Sequence, residues 1–248
     1  MKLFFIALLS SLSLSTCLSA FAAKLPARVN LSYSIKVSGM SAEVKDTIET
    51  KRVRGAGSGI RSSYAITSEA RAKGALALLQ QGSIVRSSQG MVTNKGLQPL
   101  RFSDQRGNRP PAVAIFEWAK KLLTLQHKGN EQQTTLPAGT QDRLSTFYNF
   151  AFSAPPLIGK TLELHETDGR SLSLFRYTVS GKEILDTPMG KLETVVLTKQ
   201  QGNDDLRSRK IWFATAHHML PVRILATEKD GGVLDQMITQ ISYQQKQL

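Results

Sequence analysis

The stretch VNLSYSIKV, from Val29 to Val37, alternates apolar and polar residues without a break. Successive side chains of a β-strand point to opposite faces of the sheet, so this pattern predicts a strand with one buried face. The inward phase would consist of Val29, Leu31, Tyr33, Ile35 and Val37. A second alternating run, from Ile60 to Ile66, predicts another strand of the same kind.

Strand patterns continue along most of the chain and are separated by turn signals such as Asp168-Gly169 and Asn94-Lys95-Gly96. An Asp-Gly pair between β-rich runs is typical of a hairpin. The expected fold is therefore mainly β, an antiparallel meander that forms a curved open sheet or an incomplete barrel. The further strands are predicted at Ser83–Val92, Leu97–Asp104, Val113–Trp118, Leu122–His127, Thr161–His165, Ser171–Val179, Lys191–Lys199, Arg207–Phe213, Pro221–Glu228 and Val233–Tyr243.

One segment, LSTFYNFAFSAPP from Leu144 to Pro156, has the pattern of a helix. Its apolar residues recur at a spacing of three and four, which places Leu144, Phe147, Tyr148, Ala151 and Phe152 on one face. We predict an amphipathic helix of about three turns near residues 141–153, capped by Thr140 and packed on the concave face of the sheet. Pro155-Pro156 would end it, and Phe150 would lie off the apolar face. Gly74–Gln80 could add one or two helical turns.

The N-terminus has the three parts of a secretory signal peptide. Lys2 is followed by an apolar stretch from Leu3 to Leu18 and by the cleavage pattern Ala20-Phe21-Ala22. We expect residues 1–22 to be removed, residues 23–243 to form a single β-rich domain and residues 244–248 to be a flexible tail. The protein would then be periplasmic or secreted. In the alternative, Cys17, the sole cysteine, anchors the chain through a lipid.

The chain is strongly basic, with 32 Lys and Arg against 19 Asp and Glu. Such a charge attracts anions, and for an exported protein these would be lipid headgroups and other anionic envelope components rather than nucleic acid. The charge could instead serve solubility alone. The sequence does not indicate an oligomeric state. The residues predicted to form a basic surface are Lys51, Arg52, Arg54, Arg207, Arg209 and Lys210.

Motifs for catalysis or for metal binding do not emerge from the sequence. His217 and His218 are adjacent, so on a strand their rings would point to opposite faces, and their surroundings indicate a hairpin loop. The glycine-rich segment Gly55–Gly59 lacks the residues that follow a phosphate-binding loop. The acidic pairs, Asp204-Asp205 and Glu166 with Asp168, are typical of turns. We therefore expect no catalytic residue, no metal and no cofactor.

The hairpin from Lys210-Ile211-Trp212-Phe213-Ala214 to Leu220-Pro221-Val222-Arg223-Ile224 resembles one in family 3108 of the domains of unknown function, which are exported bacterial proteins. The resemblance implies no established activity. A related hairpin occurs in the periplasmic lipoprotein carriers LolA and LolB, whose half-open barrel encloses an apolar cavity. Other stretches similar to the family are Leu31–Tyr33, Gly82–Ile84, Ser88–Gly90, Leu97–Pro99, Arg101-Phe102, Phe116–Trp118, Leu136–Asp142 and Leu185–Gly190.

Three functions are compatible with these features. The first is a non-catalytic envelope protein that binds a lipid, a lipoprotein or another apolar ligand in a groove between sheet and helix. The second is a scaffolding module that holds an anionic polymer or a protein partner through its basic surface. A hydrolase is the third, and it is the least favoured. The residues predicted to contact an apolar ligand are Phe147, Tyr148, Phe150, Phe152 and Trp212.

Overall fold

The structure, a computed structural model, describes residues 25–37, 40–54, 60–74, 82–202, 207–227 and 231–244. One α-helix in these ranges, α1 (Arg143–Tyr148), continues into a 3-10 turn at Asn149–Ala151. The strands are β1 (Arg28–Val37), β2 (Met40–Arg54), β3 (Ile60–Ala72), β4 (Ile84–Thr93), β5 (Gly96–Arg106), β6 (Ala112–Glu117), β7 (Leu122–His127), β8 (Asn130–Thr135), β9 (Gln141–Asp142), β10 (Thr161–Thr167), β11 (Leu172–Thr187), β12 (Gly190–Lys199), β13 (Ser208–Ala214), β14 (Leu220–Thr227) and β15 (Val233–Gln244).

All of these strands join one sheet in the order β8-β7-β6-β5-β4-β3-β2-β1-β15-β14-β13-β12-β11-β10-β9. Neighbours are antiparallel except β9 and β10, which are parallel. The first and last strands of the chain pair at the middle of the sheet, and the two edges, β8 and β9, do not join. The sheet nevertheless curls and brings β9 next to β5. There, the side-chain amide of Gln141 on β9 donates a hydrogen bond to the carbonyl of Leu97 on β5 at 2.9 Å. The predicted fold class, a mainly β open sheet with one helix, is confirmed.

The predicted strand positions agree with the structure to within a few residues at most ends, and Leu122–His127 matches β7. β11 is longer than predicted, and β2, β8 and β9 were not predicted at all. Several predictions lie outside the described residues: the signal peptide with Cys17, Gly55–Gly59, Asp204-Asp205, the tail after Gln244, and Gly74–Gln80 beyond its first residue.

The core consists of two clusters of buried residues that pack on the sheet and around α1. The larger cluster includes Tyr33, Ile48 and Phe102, and the smaller one includes Tyr177 and Phe213. Phe147 of α1 is partly buried and packs against both clusters. The helix therefore lies between the two halves of the curled sheet.

The helix is shorter than predicted and begins later. Asp142, rather than Thr140, is the N-cap, and its carboxylate accepts the backbone N–H groups of Leu144 and Ser145, both at 2.9 Å. The Ser145 hydroxyl accepts the Asp142 N–H in return, which completes a capping box. The hydroxyl of Thr140 instead donates to the carbonyl of Pro137. The α-helical hydrogen bonds end at Tyr148, well before the prolines.

Gly90 on β4 lies where the sheet has no room for a side chain. A Cβ atom at this position would lie 2.1 Å from the carbonyl oxygen of Gln98 and 2.9 Å from the ring of Tyr64. We expect Gly90→Ala to lower the free energy of unfolding by about 3 kcal/mol, at the upper end of overpacking costs. Gly202→Ala, which meets no atom within 4 Å, is the control. Urea denaturation measures both, and equal stabilities would contradict the expected clash.

Candidate functional site

A cavity of about 280 Å³ lies between α1 and the inward face of the sheet. Aliphatic side chains of β1, β2, β14 and β15 provide much of its wall, and Leu144 and Phe147 contribute from the helix. Met40, which belongs to the lining, is 43% exposed. The lining residues are Ile35, Val37, Met40, Ala42, Val44, Asp46, Ser68, Ala70, Arg71, Ala72, Gly82, Ile84, Arg86, Arg143, Leu144, Phe147, Arg209, Ile224, Ala226, Leu234 and Gln236.

Small side chains create this space. Ala42 pairs with Ala72 across β2 and β3, and Ala70 pairs with Val44 one step further along the strands. Ala226 takes the corresponding inward position on β14, opposite Leu234 of β15. Leucine or phenylalanine at these positions would fill the region below the helix, as such residues do elsewhere in the core. The sheet therefore leaves a volume that the described side chains do not occupy.

Polar groups form one side of the cavity. They belong to a row of paired residues that runs across β2, β3, β4 and β5. The register places Asp46 opposite Ser68, Ser68 opposite Arg86, and Arg86 opposite Asp104. Asp104 also binds Arg170, at 2.9 Å between Nη1 and Oδ2. Burial and the charge of Arg143 lower the pKa of Arg86 to about 10, which leaves the guanidinium positive at neutral pH.

The carboxyl group of Asp46 is buried below the helix. It accepts the hydroxyl of Tyr148, which lies 3.3 Å from the hydroxyl of Tyr33. The Tyr33 hydroxyl donates to the carbonyl of Pro221 at 2.8 Å, so the network links β1, β2, β14 and α1. Asp46 Oδ1 has no hydrogen-bond partner among the described residues. Burial raises the pKa of Asp46 to about 6, although Ser68, Tyr148 and the charge of Arg86 counteract it.

This raised pKa predicts a pH-dependent stability. The folded protein keeps the proton of Asp46 up to about pH 6, whereas an exposed aspartate loses it near 3.8. The stabilisation by this proton is complete below pH 4 and is lost as the pH rises through 6. Asparagine does not titrate. As the pH rises from 4 to 8, the free energy of unfolding of Asp46→Asn should therefore increase by about 3 kcal/mol relative to that of the wild type. Denaturation at each pH tests this, with the exposed Asp186→Asn as the control; a pH-independent difference would contradict it.

Arg209, predicted as part of a basic surface, instead points inward, and its side chain is only 14% exposed. Nη1 lies 3.2 Å from both carboxylate oxygens of Glu166 and donates to the Tyr177 hydroxyl at 3.0 Å. The guanidinium also lies over the rings of Phe147 and Phe175, 5.7 and 5.5 Å from their centroids. Burial opposes the charge, but Glu166 and Tyr177 raise the pKa of Arg209 above its ordinary value.

A second, more polar pocket of about 180 Å³ adjoins the first. The two share Arg143, Arg209 and Ala226 in their linings. Lys199, which is buried, lies 5.1 Å from the centroid of Phe175, on which Arg209 also packs. The remaining lining residues are Glu166, Asp168, Ser171, Ser173, Arg207, Ser208 and Thr227. The aliphatic cavity and the polar pocket thus meet at the N-terminal turn of α1.

The structure brings one of the five predicted ligand contacts, Phe147, into the cavity lining. Tyr148 is buried with Asp46, and Phe152 packs partly buried against the main core. Phe150 packs edge-to-face on Phe213, with ring centroids 5.2 Å apart. Trp212 donates to Glu183 at 2.7 Å, between the cations of Lys210 and Arg223. These four residues do not line the cavity.

The other predicted basic residues lie in different places. Lys51, Arg52 and Arg54 are exposed at the end of β2. Arg207 lines the polar pocket, and Lys210 stacks on Trp212, 4.9 Å from the ring centroid. They therefore do not form one continuous patch with Arg209, and their role in binding an anionic partner stays a prediction.

The histidine pair lies in the hairpin between β13 and β14, as predicted. His217 Nδ1 is 3.0 Å from the Tyr243 hydroxyl, and both histidine rings contact the Tyr243 ring. Within the described ranges, no group of three or more His, Cys, Asp or Glu side chains is placed to hold a metal ion. Nor does any helix in those ranges have the length and apolar character required to cross a membrane.

The sequence reasoning missed Asp46, Arg86 and Arg143 as members of the site. Two of them carry a recognisable signal, because each puts a charge at the inward phase of a strand. Asp46 lies two residues from Val44 and from Ile48, and Arg86 lies two residues after Ile84, so each shares a strand face with these apolar residues. A charge in that phase is costly unless it is paired or functional.

The open sheet wrapped around a short helix defines a barrel-like β fold, and a solved structure of that kind aligns with it. One is a "beta-barrel-like protein" of the DUF1849 domain family from Brucella abortus, with 10% identity, 89% of this chain and 99% of that chain covered, and a TM-score of 0.51. A DUF1329 family protein from Desulfovibrio piger also aligns, with 10% identity over 92% and 89% of the two chains, at a TM-score of 0.27. None of the curated proteins matches the chain.

The chain itself belongs to the DUF3108 family, described as proteins of unknown function. The family profile matches residues 32–239, which include every strand from β2 to β14. The predicted membership of this family is thereby confirmed.

Proposed function

We propose that the protein is a non-catalytic, exported component of the cell envelope that binds the acyl chain of a single-chain lipid between α1 and the sheet. The observation that carries the proposal is the aliphatic cavity, whose lining includes the exposed Met40 and which meets the polar pocket at Arg209. A volume of about 280 Å³ is close to the lower limit of ligand sites, which suits one chain better than two.

The apolar wall provides the affinity in this proposal. Each methylene group that moves from water into the cavity contributes about 0.8 kcal/mol. Two more methylenes should therefore strengthen binding about 15-fold, until the chain is longer than the cavity. An uncharged ligand isolates this contribution, because it makes no ion pair with the arginines.

The test is displacement of the uncharged fluorescent dye N-phenyl-1-naphthylamine by 1-hexanol, 1-octanol and 1-decanol. We expect one dye site per chain and a dissociation constant that falls about 15-fold for each pair of methylenes. Phe147→Ala should alter these constants, because Phe147 lines the cavity. Phe150→Ala removes the same atoms from the same helical segment but away from the cavity, and should leave them unchanged.

Two results would contradict the proposal. Absence of saturable dye binding would exclude an accessible apolar site. Binding that does not depend on chain length, or that Phe147→Ala and Phe150→Ala alter equally, would place the dye elsewhere. The scaffolding function through the exposed Lys51, Arg52 and Arg54 would then become the leading hypothesis, tested by salt-sensitive sedimentation with isolated envelopes.

A further inference from the structure

We infer that the polar pocket next to the acyl cavity is a headgroup site, and that the ligand is a single-chain lipid with an anionic phosphate headgroup. The inference rests on the proposed function, because it assigns the headgroup of the lipid whose chain occupies the cavity. It adds the chemical class of that lipid and the residues that would distinguish it.

The composition of the pocket favours an anion. Four cationic residues line it, Arg143, Lys199, Arg207 and Arg209, against the two carboxylates of Glu166 and Asp168. Hydroxyl groups of Ser171, Ser173, Ser208 and Thr227 are further lining groups. Guanidinium, ammonium and hydroxyl groups are the donors that phosphate oxygens accept from, and charge-assisted hydrogen bonds of this kind are the strong ones.

Both carboxylates are already engaged within the protein, which lowers their repulsion of an incoming anion. Glu166 faces Arg209 through both of its oxygens, each at 3.2 Å from Nη1. Asp168 Oδ1 accepts the backbone N–H groups of Arg170 and Ser171, at 2.9 and 3.0 Å, and its Oδ2 lies 3.6 Å from Arg170 Nη1. Among the lining residues that the structure describes, four cationic side chains therefore stand against two carboxylates.

The position of the pocket joins the headgroup to the chain. Arg143, Arg209 and Ala226 line both cavities, so one molecule can place its phosphate in the polar pocket and its chain below the helix. Arg143 is the first residue of α1, directly after the Asp142 cap, and the well-packed Leu144 follows it. The helix thus holds a cation at the boundary between the two cavities.

The experiment compares decyl phosphate with 1-decanol as competitors for the same uncharged dye, and adds inorganic phosphate as a third competitor. We expect decyl phosphate to bind at least about tenfold more tightly than 1-decanol, as one charge-assisted contact provides. Arg207→Gln should remove most of this preference and leave 1-decanol unchanged, because Arg207 lines only the polar pocket. Lys210→Gln removes the same charge from the opposite face of β13, where Lys210 stacks on Trp212, and should preserve the preference.

Each other result has a distinct meaning. Equal binding of decyl phosphate and 1-decanol would overturn the headgroup site while leaving the acyl site in place. If neither the dye nor any competitor binds, the proposed function itself is overturned. If Arg207→Gln and Lys210→Gln lower the preference for decyl phosphate equally, the preference comes from general surface charge and the headgroup site is overturned. Inorganic phosphate that displaces the dye as well as decyl phosphate does would show that displacement needs no acyl chain, and would also contradict the inference.

Discussion

Arg209→Met is expected to lower the free energy of unfolding by about 3 to 5 kcal/mol, the cost of removing one partner of a buried ion pair. Methionine keeps the packing of the side-chain stem but leaves Glu166, which is 5% exposed, without its guanidinium partner. The Tyr177 hydroxyl loses its donor as well. Chemical denaturation monitored by tryptophan fluorescence measures the change.

Two further variants test whether the buried charge is the cause. Glu166→Gln in the Arg209→Met background removes that charge and should restore most of the lost stability. Arg176→Met breaks an exposed pair with Glu163, where both side chains are more than half exposed, and should cost no more than about 1 kcal/mol. If Arg209→Met costs as little as Arg176→Met, or if the second substitution restores nothing, the described role of Glu166 is wrong.

The sequence predicts the fold well where the alternation of apolar and polar residues is regular. β1 follows it closely, and the antiparallel meander with its aromatic helix is recovered. β2 was missed for a physical reason. Its inward phase contains Asp46 between Val44 and Ile48, and a buried carboxyl group interrupts the apolar pattern by which strands are recognised.

The candidate site could be predicted only in part. The aromatic helix led to Phe147, but not to the cavity, because the cavity depends on alanines that a sequence does not distinguish from packed ones. Whether Ala42 and Ala70 face a void depends on the register of β2 and β3 and on where the helix lies above them. Likewise, Arg209 resembles any surface cation until the curled sheet brings Glu166 of β10 to it. The local sequence pattern identifies the strands and the helix, whereas the site depends on pairing between residues that are distant in the sequence.

Filling the cavity should abolish acyl-chain binding. Ala70→Phe adds a ring at an inward position of β3 that lines the cavity, in space that none of the described side chains occupies. Because the ring enters an existing space, the melting temperature should change little. Ala42→Phe, on the neighbouring strand, fills the same cavity and provides an independent variant. Ala65→Phe adds the same ring at an exposed position of β3 and is the matched control.

The most direct measurement of the acyl site is the dissociation constant of 1-decanol, by dye displacement, for the wild type and these three variants at matched folded fractions. We predict that Ala70→Phe and Ala42→Phe weaken binding by more than about 100-fold, since several methylenes lose their place in the cavity. Ala65→Phe should bind as the wild type does. Undiminished binding by folded Ala70→Phe and Ala42→Phe would contradict the acyl site between α1 and the sheet.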